Sequence, residues 1–214
     1  MKVAVIVPAY NEEKYLQGTL SKIKKVCSYD IIVANDGSKD KTKNIASKYA
    51  TTIISNKHNK GKGHILRKAC DHATKKYDAF ILIDADGQHE PKDIPEFINK
   101  LKTNDIVFSY RKGGKQPITF RFGNYALNLI TRLLFNIHIK DTQCGFRAMK
   151  SSVYNQIRWN ANKYDVESEM IARSKGLKYA QIPIKIIYHD TTKGTTILDG
   201  LRIGWKMIGW RFKF

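Results

Sequence analysis

Short apolar runs alternate with segments of helical periodicity along the first 83 residues of the chain. Apolar runs of about four to eight residues are typical of buried strands, and apolar residues three or four positions apart predict a helix with one buried face. The predicted strands span residues 3–7, 31–34, 51–55 and 79–83, and the predicted helices span residues 12–25, 40–49 and 61–76. This alternation predicts an α/β fold, with a mainly parallel sheet and helices on both faces.

The remaining residues extend this pattern less regularly. Predicted strands at 105–109 and 180–188 and predicted helices at 120–137 and 160–175 follow the alternating part. A chain of 214 residues is long enough for one domain with a sizeable core, and no internal repeat or long linker divides it. We therefore expect residues 1–196 to form one domain and residues 197–214 to form an amphipathic C-terminal helix.

The predicted C-terminal helix has two apolar arcs on a helical wheel of ~100° per residue. The arcs consist of Ile197, Leu198, Leu201, Trp205, Ile208 and Phe212 on one side and of Ile203, Met207, Trp210 and Phe214 on the other. A wide apolar surface with flanking cations is typical of a helix that lies in a membrane interface. A terminal helix packed on the core, or one that forms a dimer contact, accounts for the same pattern.

The net charge of +19 is unusually large for a chain of this size. It predicts an anionic partner, which can be nucleic acid, an anionic membrane or a phosphorylated substrate. Because the lysines are dispersed and no nucleic-acid recognition motif is present, we expect no nucleic-acid partner. The three widely spaced cysteines fit neither a zinc site nor a disulfide framework, which favours a reducing cytosol.

Targeting and membrane-spanning signals are absent from the sequence. The N-terminus enters a predicted strand at once and lacks the layout of a signal peptide. No apolar run approaches the ~18 residues of a spanning helix. We therefore expect a cytoplasmic protein that lies on the cytoplasmic face of a membrane, where anionic lipids attract its basic surplus.

Acidic and amide side chains follow the strand at 79–83 directly, in the string Asp84-Ala85-Asp86-Gly87-Gln88-His89. In parallel sheets ligands bind at the carboxyl ends of the strands, where this loop falls. Two carboxylates two positions apart can both reach one divalent cation, and Mg²⁺ prefers a few carboxylate oxygens together with substrate phosphates. We therefore interpret Asp84, Asp86 and Gln88 as a cation cluster beside a diphosphate; the alternative is a pair of solvated turn carboxylates.

Two further loops fall at the same predicted edge. Tyr10 and Glu12 follow the first strand and can stack on and hydrogen-bond to a nucleoside, although Asn11 as a helix N-cap explains the same turn. Asp36 follows the second strand and can hold a ribose or a base edge, with a capping turn as the alternative. Lys62, between two glycines, can meet phosphate oxygens at the start of a helix, or it can belong to a flexible basic loop.

Arginines and acids further along the chain complete the set of candidates. Arg111 and Arg147 are candidates for binding a second anion, because the planar guanidinium matches phosphate; surface salt bridges are the alternative. Glu167 and Glu169 begin a predicted helix and are either surface acids or, for one of them, a group that faces the cleft. Lys193 precedes a glycine in a loop and can close over a diphosphate.

Taken in order, these motifs resemble family 2 glycosyltransferases with the GT-A fold. The matching segments are residues 5–12, 35–38, 59–63, 84–89, 109–111, 141–147 and 183–184. The string from Asp84 to His89, with Gly145-Phe146-Arg147 downstream, is most similar to dolichyl-phosphate mannose or glucose synthases. The resemblance covers nearly the whole chain, and it implies a nucleotide-binding GT-A sheet.

The resemblance also implies substrates and residue roles. The donor is a UDP- or GDP-linked sugar, the acceptor is a polyprenyl phosphate, Mg²⁺ or Mn²⁺ is the cofactor, and transfer inverts the anomeric carbon. The donor set is Pro8, Ala9, Tyr10, Glu12, Ala34, Asp36, Lys62, Asp84, Ala85, Asp86 and Lys193. Asp84, Asp86 and Gln88 would hold the metal, Arg111 and Arg147 would place the acceptor phosphate, and Asp86 with the two arginines would be the catalytic residues.

Three departures from the family pattern accompany these assignments. Asn35 stands where many relatives have aspartate, and Lys185 and Ile186 stand near a position where synthases often carry arginine. Larger relatives have spanning helices after the catalytic domain, so a separate membrane protein is a possible partner. The alternative function is a soluble transferase that acts on a saccharide or protein, with Glu167 or Asp141 as the base, and a nucleic-acid-binding protein is a remote alternative.

Overall fold

One seven-stranded sheet forms the centre of the structure, a computed structural model that describes residues 1–112, 118–187 and 197–213. The strands, in the order of the chain, are β1 (Val3–Ala9), β2 (Asp30–Asn35), β3 (Thr52–Ser55), β4 (Ala79–Leu82), β5 (Ile106–Arg111), β6 (Arg147–Lys150) and β7 (Tyr179–Ile184). Their order across the sheet is β3-β2-β1-β4-β6-β5-β7. All pairs are parallel except the two that β6 makes with β4 and β5. The predicted α/β fold is confirmed.

Helices cover both faces of this sheet. They are α1 (Leu16–Val26), α2 (Thr42–Tyr49), α3 (Lys62–Ala73), α4 (Ile94–Leu101), α5 (Ile118–Phe135), α6 (Tyr154–Ile157), α7 (Val166–Arg173) and α8 (Ile197–Arg211). Alternate residues of a strand face opposite sides of a sheet. Ile6 accordingly packs in the layer under α3, α5, α7 and α8, whereas Val5 and Val7 pack in the layer under α1 and α4.

The antiparallel strand β6 determines where the loop before it lies. Arg147, its first residue, is paired with Leu82 at the end of β4 and with Phe108 in β5. Because β6 runs opposite to both neighbours, its amino end lies beside their carboxyl ends. The loop 141–146 therefore reaches the edge of the sheet where the loops after β1, β2 and β4 lie.

The structure adds β6, α4 and α6 to the predicted elements, and one predicted helix is about half its expected length. We predicted a helix at 160–175, but α7 begins only at Val166. The reason is local: the backbone N–H groups of Asn160 and Ala161 donate to the carboxylate of Glu169 at 3.0 and 2.8 Å, which holds these residues in a loop across the start of the helix.

The C-terminal helix α8 packs one of its two predicted arcs on the core and leaves part of the other exposed. Ile203 and Met207 are buried, whereas Leu201, Trp205 and Phe212 are exposed. The predicted arc member Phe214 lies outside the described residues. Within the described ranges, no helix combines the length and the hydrophobicity needed to cross a bilayer.

Candidate active site

The loops after β1 and β2 meet at the carboxyl edge of the sheet. Pro8 is paired with Ala34 and Ala9 with Asn35, so these strands end side by side. The backbone N–H of Asn11 donates to Ser38 Oγ at 3.0 Å, and that of Lys39 donates to Asn11 Oδ1 at 2.9 Å. These bonds fix the two loops to each other and leave the Tyr10 ring partly exposed beside them.

Asp36 is buried and holds the segment that leads into α3. Its carboxylate accepts hydrogen bonds from Asn56 Nδ2 at 2.7 Å and from the backbone N–H groups of Lys60 at 3.0 Å and Gly61 at 2.7 Å. The two backbone amides that precede Lys62 are thus already engaged. Gly61 has φ +99°, and a Cβ there would lie 2.2 Å from the carbonyl oxygen of Asn162, so only glycine fits.

The side chain of Lys62 lies between two carboxylates at the centre of the cleft. Its Nζ is 2.7 Å from Asp84 Oδ1 and 2.8 Å from Glu167 Oε1, and all three side chains are largely buried. Burial acts to raise the pKa of Asp84, but the charge of Lys62 outweighs it and holds that pKa below its usual value. The three charges form a cluster in which one lysine offsets two acids.

Asp86 lies in the same loop, and there burial and Asp84 outweigh the charge of Lys62. Burial, and then the charge of Asp84, raise its pKa above the usual value. Its Oδ1 accepts the backbone N–H of Gln88 at 3.0 Å, which shapes the turn after β4. A divalent cation would relieve the repulsion between the two aspartates, and a carboxylate pair with an amide is a donor set that suits a hard cation. In the described ranges no three His, Cys, Asp or Glu side chains converge as a metal site, so the fit to a cation rests on the donor types of Asp84, Asp86 and Gln88.

The loop before β6 lies directly against this cluster. A Cβ on Gly145 would lie 2.6 Å from Asp84 Oδ2 and 3.1 Å from Lys62 Nζ, so glycine is what allows the approach. Arg147, two residues later, is 1% exposed and its guanidinium faces the loop rather than the cleft. It donates to the carbonyl oxygens of Cys144 at 2.8 Å, Glu167 at 2.7 Å and Thr142 at 2.8 Å.

Arg111, at the end of β5, is held by a buried aspartate. Its Nε donates to Asp141 Oδ2 at 2.6 Å and its Nη2 to Oδ1 at 2.9 Å. Asn124 Nδ2 and the backbone N–H of Gln143 donate to the same carboxylate at 2.9 and 3.1 Å. Burial acts to raise the pKa of Asp141, but the hydrogen bonds and charge of Arg111 keep it below its usual value. The clamp fixes the plane of the guanidinium.

His89 is buried behind the aspartates. Its Nε2 is 3.8 Å from Cys144 Sγ, and its Nδ1 has no hydrogen-bond partner in the described part of the chain. Burial lowers the pKa of His89 although Asp84 and Asp86 act in the opposite direction. Burial also raises the pKa of Cys144 to about 11, so the thiol is a packing group and not a nucleophile.

Comparison with known proteins places the chain in a family. Residues 4–158 match glycosyl transferase family 2. The chain belongs to that family. An uncharacterised protein of Methanocaldococcus jannaschii is 35% identical over 221 residues, which cover 97% of this chain and 91% of the relative. A protein of Methanococcus voltae named UDP-N-acetylglucosamine–dolichyl-phosphate N-acetylglucosaminyltransferase is 30% identical over 240 residues, which cover 96% of this chain and 94% of the relative.

A solved structure supports the fold of this family 2 glycosyltransferase. Glucosyl-3-phosphoglycerate synthase from Mycobacterium tuberculosis, in complex with Mn²⁺, UDP and glucosyl-3-phosphoglycerate, superposes with a TM-score of 0.76 at 22% identity. The match covers 99% of this chain and 79% of the synthase. The same synthase has also been solved with Mg²⁺ and UDP. The likeness establishes the GT-A-like fold.

Most of the residues predicted for the donor lie on one edge of the sheet in this family 2 glycosyltransferase. Pro8, Ala9, Tyr10, Glu12, Ala34 and Asp36 belong to the ends of β1 and β2 and the loops that follow them, and Lys62, Asp84, Ala85, Asp86 and Gln88 belong to the α3 start and the loop after β4. Lys193 lies outside the described residues. Arg111 ends β5 beside Asp141, but Arg147 is directed away from the cleft, so we do not retain it as an acceptor ligand.

Two features of the glycosyltransferase site were not predicted, and one alternative that the sequence left open is now decided. Glu167 faces Lys62, whereas Glu169 accepts backbone hydrogen bonds, which decides between the two alternatives for these acids. Asp141 was considered only as a base, and its role as the clamp of Arg111 was missed. Asn124 was missed as well. In the sequence the clamp appears only as an arginine and an aspartate, Arg111 and Asp141, that are 30 residues apart, and such a spacing is too common to identify a pair.

Proposed function

We propose that this chain transfers a sugar from a nucleoside diphosphate sugar to a polyprenyl phosphate, with inversion and with a divalent cation. The observation that carries the proposal is the pairing of two centres at one edge of the sheet. The acidic loop of Asp84 and Asp86 suits a cation and a diphosphate, and the clamped Arg111 suits a second anion. The name of the Methanococcus voltae relative supports a nucleotide-sugar donor and a polyprenyl phosphate acceptor, and the UDP and Mn²⁺ bound by the mycobacterial synthase support the donor class and the cation but not the acceptor.

The donor binds across the loops after β1, β2 and β4. Tyr10 stacks on the base, while Glu12 and Asp36 shape the pocket around the nucleoside. Lys62 lies beside the diphosphate, where its charge offsets the phosphate oxygens. When bound at Asp84, Asp86 and Gln88, Mg²⁺ or Mn²⁺ supplies Lewis-acid stabilisation of the leaving diphosphate.

The acceptor needs no general base, because a phosphate monoester is already ionised at neutral pH. Arg111 binds the acceptor phosphate and aligns one of its oxygens with the anomeric carbon. That oxygen forms a bond to the anomeric carbon as the bond from this carbon to the nucleoside diphosphate breaks, which is a single displacement with inversion. Asp141 positions Arg111 through its bidentate hydrogen bonds.

The alternative acceptor, a saccharide or protein hydroxyl, needs a carboxylate base. Neither candidate is arranged for that task. Asp141 is saturated by Arg111, Asn124 and a backbone amide, and its pKa is lowered by Arg111 against the effect of burial. Glu167 is bonded to Lys62 and is buried. The charge arrangement therefore favours an acceptor that is already an anion.

The surface of α5 and α8 favours an acceptor held in a membrane. Both of these helices, which pack on each other, expose large apolar side chains: Tyr125, Leu129, Leu133, Leu201, Trp205, Ile208 and Phe212. We name this set the apolar face. Ile203 and Met207, together with an ion pair between Lys206 and Asp165, fix α8 to the domain. In this proposal the apolar face lies in the membrane interface and the domain 1–196 faces the cytoplasm.

A panel of UDP- and GDP-linked sugars with a short prenyl phosphate tests the proposal. We expect transfer from one donor to the prenyl phosphate, loss of transfer on adding EDTA, and an inverted anomeric configuration in the product. The matched control is the prenyl alcohol of the same chain length, which lacks the anion and should accept no sugar. Transfer to saccharides without any use of the prenyl phosphate would establish the alternative instead.

A further inference from the structure

A surface cavity of about 310 Å³ lies between α5 and the segment 136–140, away from the acidic loop. Its apolar walls are formed by Tyr125, Leu129 and Ile139, and its basic walls by Arg132, His138 and Lys140. No carboxylate lines it among the described residues. The volume is at the lower end of the roughly 300–1,000 Å³ typical of ligand pockets. It suits a small anionic group with an apolar attachment.

The basic wall of this cavity is fixed by hydrogen bonds. The backbone N–H of His138 donates to the Tyr179 hydroxyl at 3.1 Å, and Gln181 bonds to the backbone on both sides of Ile139 at 2.8 and 2.9 Å. Asn128 Nδ2 donates to the carbonyl oxygen of Lys140 at 2.8 Å from the α5 side. The cations thus project from a rigid frame, which lowers the entropic cost of binding an anion.

The cations on this wall form no ion pairs within the described ranges, since Asp141, the acid next to Lys140 in the chain, is paired with Arg111. Arg132 and Lys140 are exposed and form no ion pair with any described carboxylate. Lys140 Nζ is 4.5 Å from the centroid of the Tyr110 ring, which orients the ammonium group. An anion that enters the cavity meets cations whose charge is not already neutralised.

The position of the cavity identifies the kind of anion. Tyr125 and Leu129 line the cavity and also belong to the apolar face, so the cavity opens at the border of that face. A phosphate bound there lies level with the edge of the apolar face, which is where a phospholipid carries its headgroup relative to its acyl chains. A small soluble ester such as glycerol phosphate has no apolar chain to place against these neighbours.

The cavity is separate from the clamp of Arg111 but linked to it through α5. Asn128 supports the cavity, and Asn124, four residues or about 6 Å away along the helix axis, supports Asp141. A headgroup in the cavity therefore holds the membrane surface at a fixed place relative to Arg111.

From these observations we infer that the cavity binds the phosphate of an anionic phospholipid headgroup and orients the apolar face on the membrane. The inference rests on the membrane-surface part of the proposed function. It adds a lipid-binding site that is distinct from the site of the acceptor phosphate.

Vesicle flotation with a double variant, Arg132→Gln with Lys140→Gln, tests this inference. The matched control is Lys43→Gln with Lys48→Gln, which removes the same charge from the exposed side of α2, a helix on the opposite face of the sheet. Vesicles contain phosphatidylcholine alone, or three parts of it with one part of phosphatidylglycerol. Thermal unfolding verifies that both variants fold.

We expect the cavity variant to lose its preference for the anionic vesicles about thirtyfold, which corresponds to about 1 kcal/mol for each cation at a membrane surface. The α2 control should lose far less. With a short prenyl phosphate in detergent, and no phospholipid, the cavity variant should transfer sugar as the wild type does. Flotation does not depend on sugar transfer, so its result can be interpreted even if the proposed reaction is not found.

Three results would overturn the inference. Equal losses in the cavity variant and the α2 control would mean that net charge alone attracts the membrane. A raised KM for the short prenyl phosphate in detergent would assign the cavity to the acceptor. Tight binding of free glycerol phosphate, lost in the cavity variant, would make it a site for a soluble ligand.

Discussion

Replacing Arg147 by methionine should destabilise the fold and leave acceptor binding largely unchanged. Arg147 is buried, and its donors are used by three backbone carbonyl groups that join the loop 141–147 to α7. A buried acceptor left without its donor costs about 1–3 kcal/mol. Methionine fills similar volume and removes a buried charge, which offsets part of that cost. Three such acceptors together cost about 3–9 kcal/mol, and with the offset we expect a net loss of about 3–5 kcal/mol in the free energy of unfolding.

Thermal unfolding followed by circular dichroism measures this loss. For a chain of this size each kcal/mol shifts Tm by about 2–4 °C, so Tm should fall by about 6–20 °C. The control is Arg158→Met, which breaks the ion pair of an arginine with Asp71 on the exposed surface. Exposed pairs contribute about 0–1 kcal/mol, so its Tm should fall by no more than about 4 °C.

Acceptor kinetics at a temperature where the Arg147→Met variant is folded complete the test. The position of the guanidinium predicts a KM for the prenyl phosphate close to that of the wild type. A variant with an unchanged Tm and a strongly raised acceptor KM would refute the reasoning and restore Arg147 as an acceptor ligand.

Three further changes address the cleft itself. Asp141→Asn keeps the shape of the clamp but removes its charge. We expect kcat/KM for the acceptor to fall about 10–100-fold with the donor KM unchanged, because one hydrogen bond to a charged group contributes about 1.5–3 kcal/mol. An equal fall in kcat/KM for the donor would argue against a positioning role. Gly145→Ala places a Cβ 2.6 Å from Asp84 Oδ2, which displaces that carboxylate. Calorimetry should therefore show weaker nucleoside diphosphate binding with little change in Tm. Unaltered binding would mean that the cleft has room for the added methyl group. Lys62→Met leaves Asp84 without the charge that lowers its pKa. A carboxylate with a lowered pKa stabilises the fold at any pH above its unfolded pKa of about 3.9, and this contribution is lost as the pH falls through the folded pKa. The loss of stability in this variant should therefore be large at neutral pH and become smaller toward about pH 4. A loss of stability that does not depend on pH would exclude this coupling.

Local patterns were sufficient to predict the strands that end at the cleft. β1, β2 and β4 are short apolar runs, and the loops after them hold the residues predicted to bind the donor and the cation. These predictions depend only on the periodicity of each segment and on the rule that parallel strands end at one edge. The sequence pattern around the acidic loop therefore placed Asp84 and Asp86 correctly relative to the sheet.

The roles of Arg147 and Asp141 depend on topology, which local patterns do not contain. β6 is only four residues long, and its antiparallel insertion between β4 and β5 is what directs Arg147 into the protein. Because an arginine is rarely buried, its residue type alone predicts that Arg147 lies in the cleft and not in the core. Asp141 and Arg111 meet because the loop before β6 ends beside β5, a contact that no spacing along the chain reveals.

The central claim is that Asp84 and Asp86 bind one divalent cation on which departure of the nucleoside diphosphate depends. The most direct measurement is sugar transfer to a short prenyl phosphate by the wild type and by Asp86→Asn, after EDTA treatment and after Mn²⁺ is added back. We predict that EDTA stops transfer by the wild type, that Mn²⁺ restores it, and that the variant stays inactive in both conditions. Undiminished transfer by the cation-free wild type, or by Asp86→Asn, would contradict the claim.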